Sequence, residues 1–142
     1  MKFPWGFPIT LLLTACAGSD ANGPLSSSAS TECPSHSAQI QEGEGFLRIL
    51  CGCKETTGTV TVSGETLKCT VSPNTTIIFQ YDGNISPKQI LSTGDPTFPS
   101  SPVYLPGSAN PVQAFGITLK DAGTYSFTDA YFGGLKGSII VK

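Results

Sequence analysis

The chain has 142 residues, room for one domain and a tail, with 39% hydrophobic residues and only 13% charged ones. Lys and Arg number 8 against 10 Asp and Glu, a net charge of −2. With no Lys/Arg cluster to neutralise phosphates, this excludes a nucleic-acid binder, and the low charge density excludes a disordered polyelectrolyte. The 16 Gly and 11 Pro, with many Thr, Ser and Val, predict turns and strands rather than helices.

In chain order, Lys2 precedes an apolar run ending in Leu11-Leu12-Leu13. The run is far short of the roughly 20 residues of a transmembrane helix, so residues 1–15 read as a signal peptide. Pro4 and Pro8 interrupt the helix such a leader usually forms. Leu13-Thr14-Ala15-Cys16 resembles the lipobox of bacterial lipoproteins, an aliphatic residue and two small ones before a cysteine. The resemblance implies cleavage before Cys16, diacylglycerol on its thiol and a further acyl chain on the new amine. Two or more chains make anchoring stable where one is marginal. Ala17 in place of Asp implies the outer membrane, so the expected address is the cell envelope, with the membrane as a partner through the lipid anchor.

Residues 16–37 carry almost no large apolar side chain and cannot bury enough surface to fold. They are expected to form a flexible tether with a mean span on the order of 25 Å. The folded domain is expected over residues 38–142.

Apart from Cys16, the cysteines are Cys33, Cys51, Cys53 and Cys69, an even number in an exported protein. Two disulfides are the default. On a strand, Cys51 and Cys53 would share a face with Cα atoms about 6.6 Å apart and parallel Cβ vectors, which disfavours their mutual pairing unless Gly52 turns the chain. Each is therefore expected to reach Cys33 or Cys69. The rival is a thiolate site in which Cys51, Cys53 and Cys69, with His36 as an optional fourth ligand, hold Cu(I) or zinc.

Strands are predicted at residues 46–50, 59–62, 67–71, 76–81, 113–119, 124–128 and 137–141. Residues 82–111 carry six prolines and form a long irregular connection. About seven short strands with turn signals between them predict an all-β, Greek-key β-sandwich. Asn74-Thr75-Thr76 and Asn84-Ile85-Ser86 match the glycosylation pattern but read as turn residues.

Phe115-Gly-Ile117-Thr-Leu119-Lys-Asp-Ala-Gly123-Thr-Tyr125-Ser-Phe127, followed by Lys136-Gly137-Ser-Ile139-Ile-Val141, resembles the C-terminal half of a cupredoxin. Upstream, Val71-Ser-Pro-Asn-Thr-Thr-Ile77-Ile-Phe79 resembles the family's Val-x-x-Gly-Asp-x-Val-x-Trp/Phe strand, with Asn74 in place of Gly. Asn tolerates positive φ, so the turn survives. The resemblance covers residues 67–142. It implies a Tyr125 corner whose hydroxyl ties a loop, and adjacent strands within 113–141. It also sets the places of the type 1 copper ligands, and each is degenerate: Asp129 stands for Cys, Phe132 for the loop His, Leu135 for Met, and the upstream His falls near Pro87. His36, the only histidine, lies in the expected tether, so a His₂Cys site cannot be assembled.

What replaces the metal is open between two readings. Tyr131 and Phe132 beside Gly133 and Gly134 form an exposed aromatic patch for an envelope protein or small ligand at residues 129–135, or Phe132 and Leu135 plug the vacated space. Asp129 is expected to face solvent, to pair with Lys136 or to cap local amides. No catalytic constellation is visible, and no cofactor is expected. The sequence thus predicts a non-catalytic, lipid-anchored envelope protein with a binding or structural sandwich. The alternative is a periplasmic copper or soft-metal binder using Cys51, Cys53 and Cys69.

Overall fold

The computed structural model describes residues 32–142 apart from Ser63, Asn84 and residues 110–112. The expected signal peptide, Cys16, most of the tether and the Asn84 sequon position lie outside the described residues.

Among the described residues, period-2 alternation of apolar and polar residues builds nine strands: β1 Ser37–Gly43, β2 Phe46–Cys51, β3 Thr59–Thr61, β4 Thr66–Val71, β5 Thr75–Tyr81, β6 Ile90–Ser92, β7 Ala114–Leu119, β8 Gly123–Asp129 and β9 Lys136–Val141. β5 is the plainest case, with Ile77, Phe79 and Tyr81 buried and the residues between them half-exposed. The strands form a five-stranded sheet, order β3-β2-β1-β5-β7, and a four-stranded sheet, order β4-β9-β8-β6. Every connection from β3 to β8 changes sheet. The inward rows of the two sheets meet in one core, centred on Phe79 and Phe127, whose rings pack edge to face at 5.0 Å.

The expected sandwich of about seven strands is confirmed in class and corrected in count. The sequence reading lacked β1 and β6. β1 carries only Ala38 and Ile40 as apolar inward residues, yet it is central, paired antiparallel with β2 and parallel with β5. Thr76 N–H donates to the His36 carbonyl at 2.8 Å, and Ser37 N–H to that of Pro34 at 3.1 Å. β6 is three residues long inside the Pro-rich connection and pairs with β8. β8 and β9 are neighbours, but β7 is not beside them: it pairs with β5 in the other sheet, because the turn at residues 120–122 crosses between layers.

The Tyr125 corner is present. The ring is buried and its hydroxyl donates to the Asp121 carbonyl at 3.0 Å. Asn74 takes φ 65°, as the turn requires. Cys33 bridges to Cys51 and Cys53 to Cys69, with Cα separations of 5.6 and 5.0 Å. Gly52 does turn the chain, at φ 81°, and a side chain there would collide with the backbone of Ser37 and Ala38. The turn sends the two sulfurs to different partners rather than to each other.

Candidate functional site

β1 and β5 run parallel, so the chain enters the sandwich at one end, beside Cys33 and the Asn74 turn, and Glu42 and Tyr81 emerge at the other. That far end is capped by the β1–β2 turn, Asp82, Gly83, residues 85–89, residues 101–105 and residues 130–135. It is the end at which the resemblance placed the metal ligands.

Strand alternation carries two carboxylates into it. On β1 the inward row is Ala38, Ile40, Glu42; on β8 it is Tyr125, Phe127, Asp129. Glu42 is 0% and Asp129 1% exposed, and the two carboxyls lie within hydrogen-bonding reach of each other across the layers. Asp129 Oδ1 accepts the Tyr131 N–H at 2.7 Å, an amide-capping role. Asp129 Oδ2 and both oxygens of Glu42 receive no donor from any other group. Two touching carboxylates without donors would repel strongly in a desolvated site, so one of them holds a proton. Burial, followed by the hydrogen bond and the negative charge of Asp129, pushes the Glu42 carboxyl up to about 10.

A second polar layer surrounds the pair. Lys88 is fully buried, and its Nζ lies 2.7 Å from Glu44 Oε1, 3.1 Å from the Ser86 carbonyl and 5.3 Å from the Tyr104 ring centroid. Glu44 also accepts the amides of Ile85 and Ser86, and these partners, Lys88 first, hold its carboxyl down at about 2. Tyr81 donates to Ser101 Oγ at 2.6 Å, and Ser101 Oγ accepts the Ile90 amide and donates to the Pro102 carbonyl. Burial raises the Tyr81 phenol to about 12, with the nearby Glu42 contributing.

The residues singled out in sequence fall as follows. Asp129 faces inward, so solvent exposure and pairing with Lys136, which is exposed, do not occur; capping does. Leu135 is fully buried and Phe132 packs against the core, while Tyr131 stands 49% exposed. Pro87 is half-buried next to Lys88. His36 is exposed at the opposite end, and the four described cysteines are committed to disulfides, which do not offer thiolates. Glu42, Glu44, Tyr81, Lys88 and Ser101 were not anticipated. The row Ala38-x-Ile40-x-Glu42 was the available signal, muted because Gln39 and Gln41 make β1 read as polar.

A type 1 copper site takes thiolate and imidazole donors. The groups gathered here are two buried carboxyls, a buried ammonium and an aliphatic side chain, and they do not fit that ion. Among the described residues no group of three His, Cys, Asp or Glu is placed to hold a metal.

Around the same end stand the large apolar side chains that are exposed among the described residues: Val62, Ile85, Leu105 and Tyr131. Val62 abuts Gly134, Leu105 follows Tyr104, which bridges to Lys88, and Ala130 N–H donates to the Gln89 carbonyl. Of two surface grooves, of about 430 and 460 Å³, the second reaches Thr128 and Gly133, but neither is lined by Glu42 or Asp129.

The sandwich has a cupredoxin-like fold. Among solved structures, an oxidised point mutant of amicyanin matches with a TM-score of 0.50 at 15% identity, over 80% of this chain and 90% of that one. The purple cupredoxin from Nitrosopumilus maritimus matches with a TM-score of 0.49 at 16% identity, over 74% of this chain and 99% of that one. No protein-family model and no curated protein sequence matches the chain.

Proposed function

We propose that this is a lipid-anchored envelope protein, sorted to the outer membrane, whose cupredoxin-like domain is a non-catalytic binding module that has lost type 1 copper. The observation that carries the reading is the inward-facing Asp129, with Leu135 fully buried beside it, the two residues that the sequence resemblance aligns with a thiolate and a thioether ligand. The lipobox resemblance of residues 13–16 supports the anchor. The tether joins the sandwich at the Cys33 end, so the opposite end, with Ile85, Leu105 and Tyr131 exposed, faces away from a membrane held through Cys16. An envelope protein or small apolar ligand meeting residues 129–135 there would bury surface that is costly to leave in water.

Two measurements test the reading. Metabolic labelling with a palmitate analogue should tag the full chain and not its Cys16→Ser variant; equal labelling of both sinks the anchor. Titration of the purified protein with Cu(II) and then Cu(I) should leave no stoichiometric complex and no thiolate-to-copper absorption. A one-to-one complex that disappears in Asp129→Ala would show that metal binding persists at this end.

A further inference from the structure

We propose that a single proton shared by Glu42 and Asp129 is a latch between the two sheets at the loop end, and that its loss frees residues 85–89 and 130–135. Neither a lipid anchor nor a partner is required for this.

Geometry carries the latch. Glu42 closes the inward row of the central strand of one sheet, and Asp129 closes that of a central strand of the other. Their contact therefore spans the layers where the core gives way to loops. Three of the four carboxyl oxygens have no other donor, so the proton between them is the one hydrogen bond available there. The remaining charged and titratable groups facing the pair are occupied. Lys88, a fully buried cation, is held by Glu44 and the Ser86 carbonyl. Glu44 is held by Lys88 and two amides. Tyr81 donates to Ser101 and Tyr104 to the Gly83 carbonyl. From the 130–135 side no charged residue joins them before the exposed Lys136. A metal ion fits poorly in place of the proton: the carboxyls touch, a buried ammonium stands close by, and no third ligand of the usual kinds converges.

When the proton leaves for solvent, two carboxylates remain in contact without water. Relief requires the covering segments to move outward. Both are tied directly to the pair. Asp129 holds the Tyr131 amide by its side chain and the Leu135 carbonyl by its N–H, Ala130 N–H donates to Gln89, and the Glu42 carbonyl accepts the Asp82 amide.

The test uses the full chain. At neutral pH its infrared spectrum should show the carbonyl stretch of a protonated carboxyl, absent from Glu42→Gln. Hydrogen-exchange protection of the Ala130 and Tyr131 amides, corrected for intrinsic base catalysis, should fall about tenfold per pH unit above neutral, the slope for release of one proton on opening. Protection in Glu42→Gln should be flat, because the amide donates to Asp129 without a titratable proton. If that variant does not fold, Glu42→Gln combined with Asp129→Asn, in which neither side chain titrates and an amide donates across the same contact, gives the same flat readout. Three results would overturn the latch. One is a wild-type spectrum without the protonated-carboxyl band. Another is a pH slope unchanged in the variant measured. The third is stabilisation of the wild type, but not of Glu42→Gln, by Ca²⁺ or Mn²⁺, which would put a cation where the proton is placed.

Discussion

Glu42 and Asp129 meet carboxyl to carboxyl between the sheets, and Glu44, two residues beyond Glu42, meets Lys88 as an ion pair. The two glutamates therefore pull stability in opposite directions with pH. Glu44 is lowered to about 2, chiefly by its Lys88 hydrogen bond, so its contribution is complete above the unfolded carboxylate range and is lost as pH falls from about 4.5 to about 2. Glu42 is raised to about 10, chiefly by burial. Its proton favours the folded state fully below about 4.5, and that advantage drains away as pH rises toward about 10. The expected thermal midpoint is thus highest at mildly acidic pH and declines on both sides, as calorimetry across the range would show. A midpoint that climbs from mildly acidic to alkaline pH contradicts the assignment.

Glu42→Gln follows from the same contact. The variant amide donates to Asp129 with no proton to hold, so stability at neutral pH should rise by about 1–3 kcal/mol, the worth of a hydrogen bond to a charged group. At pH below the carboxylate range the gain should vanish, since the wild-type carboxyl is then protonated in both states. Urea unfolding at two pH values distinguishes this crossover from a uniform effect.

Tyr125→Phe should cost about 1 kcal/mol with an unchanged m value. The hydroxyl donates to the Asp121 carbonyl at 3.0 Å, and the ring stays buried in the variant. Loss of much more would mean that the corner also sets the crossing from β7 to β8.

Gly137→Ala tests the packing of the four-stranded sheet. Gly137 pairs with Phe127 across β8 and β9, and a methyl there would enter the space of the Phe127 ring. Phe127 is itself wedged against Phe79, so it has no free direction in which to yield. Overpacking of this kind costs about 1–3 kcal/mol, measurable as a lower urea midpoint. Gly133, where a methyl meets open space, is the control and should tolerate alanine.

Much of the fold was legible because it rests on alternation and turn chemistry. β5, β8 and β9 declare themselves through Ile77-x-Phe79-x-Tyr81, Tyr125-x-Phe127 and Ile139-x-Val141, and Asn74 marks its turn. β1 was hidden because a central strand with Gln39, Gln41 and Glu42 looks too polar for a core strand until β2 and β5 are seen to flank it. The site was half legible. Asp129 could be placed at a ligand position from the strand pattern, but its partner lies on a strand 87 residues earlier by their numbers, and no local spacing connects them. Lys88 illustrates the same limit: a lysine in a Pro-rich connection reads as solvated, and only the enclosure by Glu44, Ser86 and Tyr104 buries it.

The two disulfides should differ in what their removal costs. They close loops of similar length, with sequence separations of 18 and 16, so the chain-entropy contribution of each is about 3 kcal/mol. Their surroundings are unlike. Cys33 and Cys51 are half-buried at the edge where the chain enters, whereas Cys69 is fully buried in the core row of β4. Replacing Cys33 and Cys51 by alanine should therefore cost little beyond the entropy, and should free residues 32–36 to exchange amide protons rapidly. Replacing Cys53 and Cys69 should cost more, because Cys69→Ala also leaves a small void against β9. Urea unfolding of the two double variants gives the order directly. If the first proves the more damaging, the Cys33 end is holding β1 in register against β5, a role its half-buried position does not suggest.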